Sequence, residues 1–388
     1  MSEIEKVIGE ARAALSENDT QKALKLLKPF KKGLQNENKI NLPLQQLFAD
    51  VYLEDGQVDK AYPILVHCCE LDPYGKLGGS DKFFTLGQVM GGESGLTVIK
   101  KGIDNICSQA DSENLPKEQV SKIVNGLLSM IEIWMTDLCM EPNAEEECET
   151  LIAQAMQISH ETSPEVWSTL GSIRISQQRF DDACEAFRQA WKFFEVRKNE
   201  IGQNGMPTSE SSASLEEYVD LLQPLASLAK MCIEVGLYDI ALKVEAAIKE
   251  IDEDNMEAYY LEGFTYYLIS KAALFKEKNP DLELTPGKIY EFNQHIQEIP
   301  MELNNPLVAD SVQDARASLS FASQLGQSAD PSDEISQEIL TGTLALLEEL
   351  GGAISDADLQ KLRKGEVVED DVAGAAESDY DFESGGEE

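Results

Sequence analysis

The sequence predicts an all-α protein built as a solenoid of helical hairpins. Two observations predict this fold: a short pattern of small and bulky residues at 164–191, and the recurrence of that pattern in about seven units along the chain. In the clearest copy, one helix supplies the first three pattern residues and the next helix supplies the last three. They are Trp167, Leu170 and Gly171, then Ala183, Phe187 and Ala190.

This spacing, W-x2-L-G followed by A-x3-F-x2-A, is that of a tetratricopeptide (TPR) repeat. Gly171 and Ala183 are small where two antiparallel helices touch, while Trp167, Leu170 and Phe187 fill the space between them. One hairpin cannot bury its apolar face alone, so neighbouring hairpins must stack. A stack of helix pairs forms a concave groove, which favours binding over catalysis.

Weaker copies of the pattern lie on both sides of this unit. The fourth is expected at about 129–158, and the seventh is split because its second helix follows an insertion at about 277–308. The remaining signature residues are Ala11, Ala14, Ala23 and Leu27 in the first unit; Phe48, Ala49 and Ala61 in the second; Phe83, Leu86 and Gly87 in the third; Cys139, Cys148 and Ala155 in the fourth; Ala229, Cys232 and Ala241 in the sixth; and Gly263, Ala315 and Leu319 in the seventh.

Two insertions and an acidic end complete the predicted organisation. Gly, Ser and Thr enrich 199–214, and four prolines occur in 277–308, so both segments are predicted to be surface excursions. A helix after residue 325 should cap the open end of the stack. We therefore expect a TPR solenoid over 1–350 and, over 351–388, a short helical segment followed by a disordered acidic tail.

The charge of the chain limits its partners. It has 71 acidic and 32 basic residues, a net charge of −39, and ten of the acidic residues lie in Glu366–Glu388 with no basic residue among them. About −29 therefore remains on the rest of the chain. Direct binding to nucleic acid or to an anionic membrane is not expected, because both would be repelled. A basic protein is the natural complement, and solubility alone is the alternative explanation.

The sequence contains no constellation that predicts catalysis or a cofactor. Its seven cysteines lack a C-x2-C pair and its three histidines are far apart, so no metal site is expected. An odd number of scattered cysteines without a signal peptide indicates a reducing compartment and buried thiols. No phosphate-binding loop and no apolar segment long enough to cross a bilayer occurs. The protein is predicted not to be an enzyme.

The first helix of each TPR hairpin lines the groove, and counting its positions gives the candidate partner-binding residues. Carboxylates there can form charge-assisted pairs with arginine, and aromatic faces accept guanidinium or ammonium groups. Lysine and asparagine, which hold a carboxylate in TPR domains that bind heat-shock chaperones, are missing from the corresponding positions. The candidates are Asp50, Glu54, Trp134, Asp137, Glu141, Glu165, Glu257, Tyr260, Phe264 and Tyr267.

Four segments resemble the fungal dedicated assembly chaperones of large-subunit ribosomal protein four. They cover 77–103, 131–155, 163–177 and 256–271, and the short stretches MTDL and SIRISQ within them carry the resemblance best. The resemblance implies a monomer that binds the basic internal loop of the new ribosomal protein in a one-to-one complex. It also implies that this chaperone protects its client and delivers it to the assembling large subunit, so we expect it in cytoplasm and nucleus. A histone chaperone and a TPR scaffold adaptor remain the alternatives.

Overall fold

The computed structural model describes residues 3–17, 19–109, 115–203, 218–331 and 333–364, and no β-strand occurs in these ranges. Two short 3₁₀-helices lie at Lys28–Gly33 and Ile296–Glu298. The α-helices are α1 (Glu3–Ser16), α2 (Thr20–Leu27), α3 (Leu42–Glu54), α4 (Val58–Leu71), α5 (Asp81–Met90), α6 (Gly92–Gln109), α7 (Lys117–Met135), α8 (Ala144–Ile158), α9 (Pro164–Ser176), α10 (Phe180–Gln203), α11 (Leu222–Glu234), α12 (Tyr238–Ile251), α13 (Met256–Lys278), α14 (Pro286–Gln294), α15 (Ala309–Ser328), α16 (Glu334–Glu349) and α17 (Asp356–Arg363).

The helices pair as predicted, which confirms the all-α fold of helical hairpins. The most extensive contacts in the described residues join helices that follow each other in a hairpin. In the seventh hairpin, α13 pairs with α15, and the insertion between them carries α14. The seven pairs are α1–α2, α3–α4, α5–α6, α7–α8, α9–α10, α11–α12 and α13–α15.

Small residues sit where paired helices touch, as the sequence pattern requires. A Cβ atom added at Gly171 would lie 2.2 Å from a ring carbon of Phe187, and one added at Gly263 would lie 2.5 Å from Leu319. Both distances are far below van der Waals contact, so a larger residue would force the two helices apart. The pattern therefore predicts the pairing because it encodes close helix contact.

Helix starts also follow from local sequence. Asn41 and Ser163 accept the backbone N–H groups of Leu44 and Val166, and each is followed within two residues by a proline in the first turn. Such side chains satisfy amide groups that have no partner inside the helix, and proline costs nothing there because it has no N–H. These two caps fix the starts of α3 and α9.

The predicted position of the fourth hairpin is wrong in its first helix. That helix begins directly after Pro116, ends at Met135, and is followed by a loop at 136–143. The small residue at its contact is Gly126, whose added Cβ would meet Phe84 and Ile103 at 3.0 and 3.2 Å. Cys139, which the repeat pattern places on this first helix, therefore lies beyond the end of α7.

The chain forms two compact units. Of the described residues, the first unit contains those up to Glu253 together with Glu283–His295, and the second contains Asp254–Leu282 together with those from Ile296 to Lys364. The first unit buries two hydrophobic clusters, one centred on the first two hairpins and one on the third to fifth. The predicted division at 350/351 is not a boundary between these units.

The insertion at 277–308 is partly helical and its middle part belongs to the first unit. The ring of Tyr290 lies 4.9 Å from that of Phe180, and the amide group of Asn293 donates to the carbonyl oxygens of Ile233 and Glu234 at 3.2 Å. Gly236 has a positive φ and no side chain, and a Cβ atom added there would lie 2.6 Å from Ile289, which packs against this turn. Helix α14 is thus fastened to the turns of the fifth and sixth hairpins rather than free at the surface.

In the second unit, α16 packs against both α13 and α15, which confirms the predicted capping helix. Thr343 and Leu347 are its buried residues. Beyond it, α17 contacts α15: the guanidinium of Arg363 lies 5.3 Å from the ring centroid of Phe321, and Leu359 is buried. The acidic tail from residue 365 and most of the insertion predicted at 199–214 lie outside the described residues, while 199–203 form the end of α10.

The cysteines are free thiols, and their burial differs from the expectation in part. Cys68, Cys148, Cys184 and Cys232 are buried, whereas Cys107 and Cys139 are exposed. The residues that the structure describes hold no group of three or more His, Cys, Asp and Glu side chains arranged to bind a metal ion. None of the described helices is both long enough and apolar enough to span a membrane.

Candidate partner-binding surface

The first helices of successive hairpins in the first unit carry a polar surface, which we call the first-helix face. It is formed by α3, α5 and α7, and polar contacts connect the last two. The Nζ of Lys122 lies 2.9 Å from a carboxylate oxygen of Asp81, and Gln88 donates to the hydroxyl of Ser129 at 2.9 Å. The face carries the carboxylates of Asp50, Glu54, Asp81 and Glu118 beside the cations of Arg12 and Lys122.

Asp50 has the most unusual environment on this face. Its side chain is accessible to solvent, yet loss of surrounding water raises its pKa from 3.8 to about 6. The guanidinium of Arg12 lowers the pKa, and the carboxylates of Glu54 and Asp81 raise it further. Desolvation and the neighbouring carboxylates both disfavour the charged form of this group. Asp50 is therefore an acidic site that a cation would stabilise.

Replacing Asp50 by asparagine is expected to stabilise the folded chain by about 1 kcal/mol at pH 7, since solvent screens part of the effect. A carboxyl whose pKa is raised in the folded state binds its proton more tightly there than in the unfolded chain. The ionised group therefore lowers the stability above pH about 6, and this loss disappears as the pH falls below 3.8. Urea unfolding at several pH values measures the difference.

Asp104→Asn is the matched control for this experiment, because Asp104 is an exposed acid within α6. We expect it to leave the free energy of unfolding at pH 7 unchanged. A lower stability of Asp50→Asn than of the parent chain at pH 7 would contradict the poorly hydrated environment assigned to Asp50.

The structure does not place the predicted residues of the fourth hairpin on this face. Trp134 is only 8% exposed and belongs to a hydrophobic core cluster, so it is not available to a partner as predicted. Asp137 and Glu141 lie in the loop after α7, not on a helix. The reason is the helix register: α7 begins at Lys117, so the counted positions fall past its end.

Asp137 has a structural contact instead. Its carboxylate accepts the backbone N–H of Gly92 at 2.8 Å, at the first turn of α6. An acidic oxygen there satisfies a free amide and is favoured by the helix dipole. A Cβ atom added at Gly91 would lie 2.2 Å from this carboxylate, so the missing side chain of Gly91 leaves room for it. Asp137 is thus a helix-capping residue supplied by a neighbouring hairpin.

Asp137→Ala is expected to destabilise the fold by about 1 kcal/mol, the usual cost of losing a helix cap. Glu141→Ala, in the same loop and exposed, serves as the control and should leave the stability unchanged. Urea unfolding measures both. If Asp137→Ala weakened binding of a basic partner without changing stability, the capping role would be wrong.

Glu165 is already paired within the chain. Its carboxylate lies 2.6 Å from the guanidinium of Arg197 on α10 and accepts the hydroxyl of Ser163 at 2.7 Å. The pair joins the two helices of the fifth hairpin. A basic partner would have to displace Arg197 in order to reach this carboxylate.

The aromatic residues predicted on α13 form a stacked row in the second unit. Phe264 lies between Tyr260 and Tyr267, with ring centroids 6.2 Å from each. Tyr260 packs against α16 at Gly342, and burial raises its pKa. Tyr260 and Phe264 are half-buried, as is Glu257 in the first turn of α13.

Tyr267 is not a surface for a partner, because it is 3% exposed and bonded inside the unit. Its hydroxyl donates to Glu349 of α16 at 2.7 Å, and burial followed by this contact raises the pKa of the phenol. The buried ammonium of Lys271 binds the same carboxylate at 2.5 Å and also donates to the carbonyl of Ile299. This network fastens α16 and the chain near Ile299 to α13.

Of the predicted acids, the structure thus brings only Asp50 and Glu54 together on the first-helix face. It adds Asp81, Glu118 and Lys122, which the sequence analysis missed. The third hairpin matches the repeat pattern poorly. The fourth hairpin is expected from about residue 129, so the residues of α7 before that point are not among the candidates. The signal that could have found them is Pro116, which marks the start of the fourth hairpin.

The chain is similar in sequence to one protein-family model and to two fungal proteins. Residues 254–373 match the ACL4 C-terminal domain. This range begins at the first residue of the second unit. The resemblance to the fungal assembly chaperones is confirmed by this match and by the relatives below.

Two fungal proteins are similar over much of the chain, and each is named a probable assembly chaperone of rpl4. The protein of Schizosaccharomyces pombe is 28% identical over 263 residues, which cover 67% of this chain and 72% of that protein. The protein of Emericella nidulans is 26% identical over 273 residues, which cover 69% of this chain and 65% of that protein.

Among solved structures, residues 1–338 of the assembly chaperone of RpL4 (Acl4) match with a TM-score of 0.49 and 24% identity, covering 72% of this chain and 99% of that one. The P58(IPK) TPR domain matches with a TM-score of 0.25 and 14% identity, covering 90% of this chain and 99% of that one.

Proposed function

We propose that this chain is an assembly chaperone of ribosomal protein rpl4. The names of the two fungal relatives carry the proposal, and the acidic first-helix face supports it. In this proposal the chain binds the basic internal loop of rpl4, protects it, and delivers the protein to the assembling large ribosomal subunit. It works in cytoplasm and nucleus as a monomer in a one-to-one complex, without catalysis or a cofactor.

The chemistry of the first-helix face suits a basic, extended client. Asp50 is poorly hydrated and next to Glu54, so an arginine or lysine placed there gains a charge-assisted hydrogen bond while removing an unfavourable environment. Asp81 and Glu118 continue the negative charge to α7, where Lys122 already pairs with both. A client cation that reaches these carboxylates must compete with Lys122, so the strongest contact is expected at Asp50.

Release follows from competition between anions in this proposal. The client loop that is bound to carboxylates meets ribosomal RNA on the nascent subunit, and RNA offers a denser array of negative charge. Binding to the chaperone should therefore weaken steeply as salt is raised, because screening acts on the same charges.

Size-exclusion chromatography with light scattering tests the proposal on purified proteins. The chain is mixed with rpl4, with rpl4 lacking its internal loop, and with a histone pair. We expect a one-to-one complex with intact rpl4 and loss of that complex without the loop. Equal binding of the loop-deleted protein would exclude the loop as the bound segment, and preference for the histone pair would favour a histone chaperone instead.

A further inference from the structure

A surface of opposite charge lies on the second helices of the first two hairpins. Residues 20–40 contain six lysines and only one acidic residue, Glu37, in a chain whose net charge is −39. We define the lysine surface as five exposed side chains on α2, on the 3₁₀-helix after it, and on α4, two of which lie over the ring of Tyr52. They are Lys25, Lys28, Lys31, Lys32 and Lys60.

These lysines are not neutralised within the described part of the chain. Lys22, their neighbour on α2, lies 3.0 Å from the carboxylate of Glu17, but the five lysines have no carboxylate partner among the described residues. Lys60 donates to the amide oxygen of Gln57, which carries no charge. A positive surface left unpaired in a strongly acidic protein is available for an anion.

The charges are held on a rigid support. Leu27 is fully buried and Phe30 packs against the same hydrophobic core, so both sides of the turn between α2 and the 3₁₀-helix are fixed. The buried amide of Gln45 donates to the carbonyl of Leu34 at 2.7 Å and anchors the chain that follows. Such anchoring limits the entropy that a bound anion would have to offset.

The ring of Tyr52 brings lysines of two hairpins together. The Nζ of Lys31 lies 5.7 Å from the ring centroid, and the Nζ of Lys60 lies 5.6 Å from it. Because Tyr52 is 5% exposed, its ring positions the two ammonium groups and cannot itself stack on a ligand. The surface therefore offers point charges without a planar platform.

This composition favours a polyanion that is recognised by its charge. All five side chains are lysines, whose ammonium groups act as point charges, and the ring of Tyr52 between two of them is covered. Lysines of this kind bind phosphates without selecting a base sequence. The acidic residues elsewhere in the chain repel nucleic acid, but charges beyond about 8 Å are largely screened at physiological salt. The positive charge of the lysines themselves therefore determines whether an anion binds at this surface.

We propose that the lysine surface binds the phosphate backbone of RNA. The choice of RNA over an acidic polypeptide rests on the proposed function, since a chaperone that delivers a ribosomal protein must approach ribosomal RNA. The first-helix face lies on α3, α5 and α7, whereas the five lysines lie on α2, the 3₁₀-helix after it and α4, so the client and the RNA would contact different side chains of one chain. At this one surface the proposal departs from the expectation that the protein does not bind nucleic acid directly.

Fluorescence anisotropy of a fluorescein-labelled oligouridine at low salt tests the proposal on the full-length chain. The parent protein should bind weakly, with an affinity that falls as salt is raised. The variant Lys31→Glu with Lys32→Glu should lose at least about tenfold in affinity, because two of five positive charges are reversed. A second variant, Lys25→Glu with Lys28→Glu, should lose a similar factor.

Lys100→Glu with Lys101→Glu is the matched control. It changes the net charge by the same amount, and Lys101 lies over the ring of Phe83 at 5.3 Å much as Lys31 lies over Tyr52. It should keep most of the affinity for oligouridine. Equal losses in this control and in the Lys31/Lys32 variant would mean that only net charge matters, and the lysine surface would be overturned.

Two further measurements separate this inference from the proposed function. The Lys31/Lys32 variant should bind rpl4 no more weakly than the parent chain, because it only adds negative charge. A parent chain that fails to bind rpl4 but still binds oligouridine through these lysines would contradict the proposed function alone. A labelled polyglutamate is the competing probe. Binding of polyglutamate without binding of oligouridine would replace RNA by an acidic polypeptide, and binding of neither would overturn the proposal.

Discussion

Replacing Asp50 and Glu54 together by lysine is expected to weaken the binding of rpl4 about 100-fold, or about 3 kcal/mol. The double variant removes the poorly hydrated carboxylate and its neighbour one helical turn away, and it places two positive charges beside Arg12. A basic loop would then meet repulsion at the site where its strongest contact is expected. Titration calorimetry at physiological salt measures the affinity.

Asp181→Lys with Glu185→Lys is the control for this variant. These acids have the same spacing, are also exposed, and lie on α10, the second helix of the fifth hairpin. The two variants have equal net charge, so long-range attraction falls equally in both. If the control lost as much affinity as the Asp50/Glu54 variant, the client would respond to the overall field and the first-helix face would have no special part.

Lys82→Met is expected to destabilise the first unit by about 3 kcal/mol. The ammonium of Lys82 lies 2.9 Å from the carboxylate of Asp72, and both side chains are almost completely buried. Methionine matches the length of lysine but leaves the buried carboxylate without its cation. The carboxylate of Asp72 would still accept hydrogen bonds from the backbone N–H groups at 76–78, but its negative charge would have no cation beside it.

The pH dependence gives this prediction a second measurement. Burial raises the pKa of Asp72, but the N–H of Gly78 and the ammonium of Lys82 outweigh it, so the pKa lies below its ordinary value. A lowered pKa contributes stability above the unfolded value of 3.8 that is lost as the pH falls through the folded value. Urea unfolding of the parent chain should show this acid-side loss, and Lys82→Met should reduce it.

Lys101→Met is the control, because Lys101 and Lys82 lie over the same ring of Phe83, at 5.3 and 5.2 Å. Lys101 is exposed, so its replacement should change the stability little. A Lys82→Met variant as stable as this control would show that the buried pair contributes no net stability.

The hairpin fold could be predicted because its main determinant is local. Gly171 and Phe187 lie within one repeat, and their contact follows from helix spacing and side-chain size alone. The exposed positions of Asp50 and Glu54 on α3 follow from the repeat for the same reason, while their contact with a partner stays a prediction.

Where the repeat pattern is weak, it predicts the wrong start for a helix and therefore the wrong positions for its exposed residues. Trp134 and Asp137 were assigned from a register that began too late, although Pro116 marks the start of α7. The capping contact between Asp137 and Gly92 joins two hairpins, so no pattern inside one repeat contains it. Tyr267 was misplaced because its burial depends on Glu349, which is 82 positions away in sequence.

The return of Glu283–His295 to the first unit has a consequence for biosynthesis. When translation has reached residue 253, the turn at Gly236 and the ring of Phe180 still lack Ile289 and Tyr290, which cover them in the finished protein. The N-terminal two thirds of the polypeptide therefore leave the ribosome with an apolar patch uncovered. The first unit is complete only after Glu283–His295 has been synthesised, by which time the second unit has already begun at Asp254.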